Sequence, residues 1–299
     1  MELYDYPAVY CASDSSAINA QKKYFRLFKA KIALLLLIAG IASITWDRIP
    51  SFGTLAATVL AILLVVSVVL SAIADMKKFD RIWFSSRAIA ESVKKETWLF
   101  MMKVEPYDDA LSDQEAENRF LERLDQILRR QPSISPEIVP YLKEGPLITQ
   151  YMRQMRKKAL EDRRARYIQN RIRDQKVWYT TKATWNKTQE SRWFIITWAL
   201  QVLAAIIAVI IISFRGFVIN PVGIITTAAA GALSWVHAQS FRELSQSYSL
   251  IVQELSIHEE RADKISTEKE LAELVVDVER AISGEHTIWL ARRLEPHRI

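Results

Sequence analysis

The sequence predicts an all-α integral membrane protein: four transmembrane helices in two helical hairpins, with long cytoplasmic helices, as a tandem repeat. Three observations predict it. Four apolar stretches, Ile32–Trp46, Leu55–Ala74, Trp193–Phe214 and Phe217–Val236, contain no Asp, Glu, Lys, Arg or His. Basic residues gather at one end of each stretch. A shift of about 163 residues superimposes one half of the chain on the other.

The last three stretches run about 20 residues each, enough at 1.5 Å per residue to cross a hydrocarbon core of roughly 30 Å. The first is shorter. It reaches full length only by adding residues of its basic end, with Lys29 and Lys31 snorkelling. The spans are therefore placed at about 29–46, 55–74, 193–214 and 217–236. Lys22, Lys23, Arg26, Lys29 and Lys31 precede the first; Lys77, Lys78, Arg81 and Arg87 follow the second. Lys176, Lys182, Lys187 and Arg192 precede the third, and Arg242 follows the fourth. The turns Asp47–Thr54 and Arg215–Gly216 carry one arginine each, Arg48 and Arg215. The positive-inside rule then places both termini and the central segment of a multi-pass protein in the cytoplasm. Turns this short hold no external domain. The first span does not read as a cleaved signal peptide, because a second span follows it and a small-residue cleavage site does not.

The chain has 299 residues, a quarter of them charged, a formal charge of +6 and one cysteine, Cys11. About 220 residues lie outside the spans, enough for helical cytoplasmic bodies. The positive balance suits an anionic inner leaflet. Nucleic acid is not expected as a partner, because no zinc-finger spacing, RNA-binding signature or glycine-rich loop is present. One cysteine excludes an intrachain disulfide and a cysteine metal cluster.

The repeat sets the domain reading. The span Ile32–Trp46 falls on Ile195–Val209, and Glu91 and Glu96 fall on Glu254 and Glu259. Each half then carries a helix-start signal, Ser112-x-x-Glu115 and Thr267-x-x-Glu270. Behind them lie the apolar stripes Phe120, Leu121, Leu124, Ile127, Leu128 and Leu271, Leu274, Val275, Val278, Ile282. Pro132, Pro136, Pro140 and Pro146 prevent one continuous helix between the halves. The division is residues 1–131, a Pro-rich linker at 132–147, and residues 148–299, with a long helix restarting near Ile148 and running to the third span.

The second half resembles the SLATT family of two-span effector domains. Two segments carry the resemblance: Tyr167–Ala183, with Gln175, Trp178 and Tyr179, and Ile282–Arg293, with Glu285, His286 and Trp289. The first half is similar to a sister branch in its opening, Tyr6–Ser16 and Ala20–Tyr24. The resemblance implies a membrane effector of a prokaryotic conflict or anti-phage defence system, oligomerising to form a pore or disrupt the membrane on a cytoplasmic trigger. It implies cell suicide or arrest as the outcome and a nucleotide-signal synthase or sensor as cytoplasmic partner. It implies no catalytic residue. The alternative is a non-conducting scaffold that anchors a cytoplasmic signalling partner through its helical stalk.

Individual residues sharpen this. Glu285-His286 and His258-Glu259-Glu260 lack the two histidines one turn apart of a His-Glu-x-x-His zinc site, so no metal or cofactor is expected. Trp289 is expected to pack, and Glu285 to pair with a basic neighbour such as Arg292. No nucleophile–base pair or phosphate loop suggests an enzyme. Trp178 lies about 22 Å along the helix from Trp193, too far for the headgroup level, and is expected against the returning cytoplasmic helices. Arg153–Lys176 holds ten basic and three acidic residues and reads as a solvated helix face. In the spans, Gly223, Thr227 and Gly231 form a small-residue face expected to pack on the third span. Thr197, Gln201 and Thr227 are the candidates for lining a pore. Four spans are too few for one copy to enclose a water channel, so a pore requires a homo-oligomer in the bilayer.

Overall fold

The structure, a computed structural model, describes residues 2, 5–46, 50–214 and 218–294, with the backbone alone at 50, 51 and 284–294. Every regular element among them is helical: α1 (Ala8–Ala42), α2 (Pro50–Lys77), α3 (Phe79–Met101), α4 (Asp113–Arg129), α5 (Ser135–Ile138), α6 (Gln150–Arg156), α7 (Leu160–Tyr167), α8 (Asp174–Ser213), α9 (Val222–Gln239), α10 (Phe241–Ala262) and α11 (Glu268–Leu294). The chain divides into two compact units, and each draws on both halves of the repeat. One, the body, comprises Met1–Gln21, Phe79–Lys182 and Ser247–Ile299; the other, the apolar unit, comprises Lys22–Lys78 and Ala183–Gln246.

The repeat is visible in the backbone. In each half an apolar helix ends on a residue of positive φ, Lys78 at 44° and Ser240 at 53°. The left-handed residue breaks the helix and re-aims the chain into an amphipathic one, α3 or α10. Both sequence-predicted caps form. Ser112 and Glu115 make a reciprocal capping box on α4. On α11, Thr267 N–H donates to the Glu270 carboxylate at 3.0 Å and Glu270 N–H to Thr267 Oγ1 at 3.3 Å.

The body closes around apolar faces of α1, α3, α4 and α11. Ala12, Val93, Trp98, Phe120, Leu255, Leu271, Val275 and Val278 lie in one buried cluster. The Pro-rich stretch contributes to it through Ile134 and Ile138. The chain expected to run as one helix from Ile148 instead breaks between α6 and α7, and a π-turn at Ile168–Arg173 joins α7 to α8. The break has a physical reason. It brings two arginines to the C-terminal end of α3, where helix carbonyls lack intrahelical partners. Arg156 donates to Phe100 O at 3.0 Å and Tyr107 O at 2.7 Å, and Arg163 to Met102 O at 2.9 Å.

In the apolar unit, the described parts of the four apolar stretches lie mainly on α1, α2, α8 and α9, the first leaving the helix after Ala42 and the fourth entering it at Val222. Among the described residues, two helices are long and apolar enough to cross a membrane, one beginning at Phe52 and one ending at Ser213, and only 6 % of the most apolar window of each is buried. α1 runs antiparallel along α9. Phe25 and Phe28 meet Trp235, Ile32 meets Gly231, and Gly40 meets Ile224. Thr45 N–H donates to Val218 O, and Asn220 N–H to Ser43 O, each at 2.7 Å.

Candidate functional site: a buried charged cluster

The polar chemistry of the body converges at one place. On α3, Arg87, Glu91, Lys94 and Trp98 follow at four-, three- and four-residue spacing, which puts them on one helical face. Tyr6, with Tyr10 and Asp14 of α1, approaches from the opening segment. Tyr167 and Arg171 come from the start of the long helix, Tyr179 from α8 and Glu279 from α11. The π-turn lies at this site, and Tyr167, Ile168, Arg171 and Ile172 are all buried there.

At the centre, Arg171 and Glu279 form a bidentate pair, Nε to Oε1 at 2.8 Å and Nη2 to Oε2 at 2.7 Å, with both side chains enclosed. Tyr167 donates its hydroxyl to the same carboxylate at 3.1 Å, and Trp98 stands edge-on to the Tyr167 ring. Burial alone would pull the Arg171 guanidinium down; Glu279 reverses this and holds it above its usual range. Next to it, Arg87 pairs with Asp14 at 2.7 Å and Glu91 at 2.6 Å.

Among the described residues Lys94 has no such partner. Its ammonium sits 5.9 Å from the centroid of the Tyr6 ring. Burial first, and then repulsion from Arg171, push its pKa down to about 8. Tyr6 is pushed up to about 12 by burial. Lys94 is thus the basic group of the cluster that titrates nearest neutrality. A further donor, Arg171 Nη1, is buried without a hydrogen-bond partner among the described residues. The arrangement ties α1, α3, α7, α8 and α11 together through charge and register.

The structure places the sequence-predicted residues as follows. Tyr179 is buried and Trp178 sits on the rim, their rings 5.3 and 5.5 Å from Tyr248 of α10, so Trp178 does pack on the returning helix. Gln175 is half-buried on α8. The side chains of Glu285, His286 and Trp289, and the Arg292 partner, lie outside the described residues, as do the arginines of the two turns. Glu259 pairs with Arg173 at 2.7 Å and Lys176 at 2.5 Å. The solvated-face reading of Arg153–Lys176 is corrected: Arg156, Arg163 and Arg171 are among the most enclosed side chains of the chain. They escape a count of charges because each is neutralised by groups distant in sequence.

In the apolar unit, Thr197 is half-buried, its hydroxyl enclosed without a partner, and Gln201 is exposed. Thr227 donates its hydroxyl to Gly223 O at 2.8 Å. The small-residue face is also re-assigned. At Gly231 it meets Ile32 of α1, whose Cγ2 lies 3.1 Å from where a Cβ would stand, rather than α8; at Gly223 nothing lies within 4 Å. The cause is that Gly231 leaves room for a β-branched neighbour, which α1 supplies.

Glu279, Lys94 and Trp98 were not singled out from sequence. One signal was present: Glu279 stands inside the stripe Leu271–Ile282, four residues after Val275, where a lone carboxylate on an apolar face demands a cation.

Residues 7–164 match the family model for SMODS and SLOG-associating 2TM effector domain 3, and residues 167–289 match that for SMODS and SLOG-associating 2TM effector domain 1. Comparison with curated proteins and with solved structures finds no match. The cluster joins Arg87, Glu91, Lys94 and Trp98 from the first matched region to Tyr167, Arg171 and Glu279 from the second. The chain belongs to the SLATT family of two-transmembrane effector domains and carries two of them in tandem, one of each type.

Proposed function

We propose that this protein is a membrane effector of a prokaryotic conflict system, oligomerising in the inner membrane to open a pore or disrupt the bilayer on a cytoplasmic trigger. In this reading α1, α2, α8 and α9 are four spans in two hairpins, with both termini in the cytoplasm. The function needs no catalytic residue and no cofactor. One observation supports it above the others: the outer surface of the apolar unit is made of large apolar side chains, such as Val68 at 69 % exposure and Ile212 at 80 %. In water such a surface is an aggregation hazard; in lipid it is the ordinary solvent-facing side. The trigger would act through the body, directly or through a signal synthase or sensor. Thr197 and Thr227 are the residues proposed to line a pore.

The test is expression in cells loaded with a potential-sensitive dye. Collapse of the membrane potential on overexpression or triggering supports the pore. A potential unchanged under both conditions removes it. The scaffold reading draws on a different observation. The small face at Gly231 is already filled by Ile32, and Thr227 satisfies its own hydroxyl within its helix. Recovery of a monomer that captures a cytosolic protein, without ion flux, would favour the scaffold.

A further inference from the structure

Gln201 is a polar side chain in the wrong solvent. It lies on α8 among exposed apolar neighbours, with Trp198 61 %, Val202 37 % and Leu203 46 % exposed. It is exposed itself, and no hydrogen bond to it occurs among the described residues. If α8 crosses the bilayer, as proposed above, Gln201 is about 13 Å from Arg192 at one end and about 18 Å from Ser213 at the other. A glutamine side chain reaches neither headgroup layer. Its amide carries two donors and a carbonyl acceptor, and leaving them unmet in hydrocarbon is costly.

The fold itself does not require this amide. In the repeat, Thr197 and Gln201 correspond to Leu34 and Ile38 of α1, both half-buried and fully apolar. The polar pair belongs to one of two equivalent helices. Thr226 and Thr227 satisfy their hydroxyls within their own helix, by Val222 O and Gly223 O. Gln201 is too long to back-bond in that way. Nearby small residues, Ala205 and Ala208, allow a neighbouring helix to come close.

We infer that Gln201 is a contact between two copies of this chain, its amide hydrogen-bonding across to the α8 of a second copy within the bilayer. A primary amide is self-complementary, so like copies satisfy each other without a third component. This rests on the membrane reading of α8 but not on pore opening.

The experiment is energy transfer between singly labelled full-length copies in liposomes, over a series of protein-to-lipid ratios. The wild type associates. Gln201→Leu, which inserts at least as readily, weakens association about tenfold, and Gln201→Asn, which keeps an amide, retains it. Equal association of wild type and Gln201→Leu overturns the contact, as does a wild type monomeric at every ratio. Unchanged association with altered ion flux in Gln201→Leu would put the amide on water instead, which also overturns it. Amide-dependent association without any leakage would sustain the contact while the pore reading fails.

Discussion

The body and the apolar unit solve opposite solvation problems with the same kind of helix. In the body, charge is turned inward: Arg171 and Glu279 are enclosed, and Arg156 and Arg163 bond carbonyls of the α3 end. In the apolar unit, large apolar side chains are turned outward and the close contacts fall on glycine and aromatic residues. The contrast teaches where specificity lies. Apolar packing tolerates slippage, while a bidentate ion pair and a bare glycine each admit one partner in one register.

The largest expected effect breaks the body. Glu279→Ala leaves the Arg171 guanidinium buried and uncompensated, at a cost of about 3–5 kcal/mol. Denaturant melts in mild detergent should show it, with hydrogen-exchange protection lost first in α11 and the π-turn. Arg171→Met combined with Glu279→Leu should recover most of the loss, because the pair is removed rather than orphaned. A double variant as unstable as the single would mean that the pair contributes more than its own neutralisation.

Lys94→Met should act in the opposite direction and raise stability by about 3 kcal/mol at pH 7. The sign follows from linkage. The folded pKa of Lys94, about 8, lies below its unfolded value, so between these the unfolded chain binds more protons. The wild type is therefore penalised below pH 8, and the penalty fades as pH rises towards the unfolded pKa. The advantage of Lys94→Met should shrink over the same window. A pH-independent advantage would assign it to packing instead.

The apolar unit is tested by its two glycines. Gly231→Ala forces Ile32 to give way and should cost about 1 kcal/mol, whereas Gly223→Ala meets open space and should be neutral or slightly stabilising. Thermal melts of the pair in one lipid or detergent system decide it. Equal effects would remove the α1–α9 contact. The smallest effect is at the surface. Ser112→Ala should cost about 1 kcal/mol or less through loss of the α4 cap, read as faster exchange in the first turn of that helix.

Some of this was legible in the chain because it depends on local spacing. Four apolar stretches, two capping boxes and two amphipathic stripes need only neighbours a few residues away; the caps and stripes appear on helices as expected, and the described parts of the apolar stretches lie mainly on helices. The family motif around Trp178 and Tyr179 was also legible, and it proves to border the charged cluster. The cluster itself was not. Arg156, Arg163 and Arg171 look the same in sequence as the exposed Arg173, since the carboxylates and carbonyls that enclose them lie tens of residues away.

The sequence by itself determined the helical class, the apolar stretches, the repeat and the family, because periodicity, length and motif are properties of a chain read in order. Only the tertiary structure decided that the two compact units cut across both halves, that Gly231 serves α1 rather than α8, and that a run of arginines turns inward. The physical reason is that burial of a charge and close approach at a glycine depend on which distant segment arrives, and no local spacing encodes that.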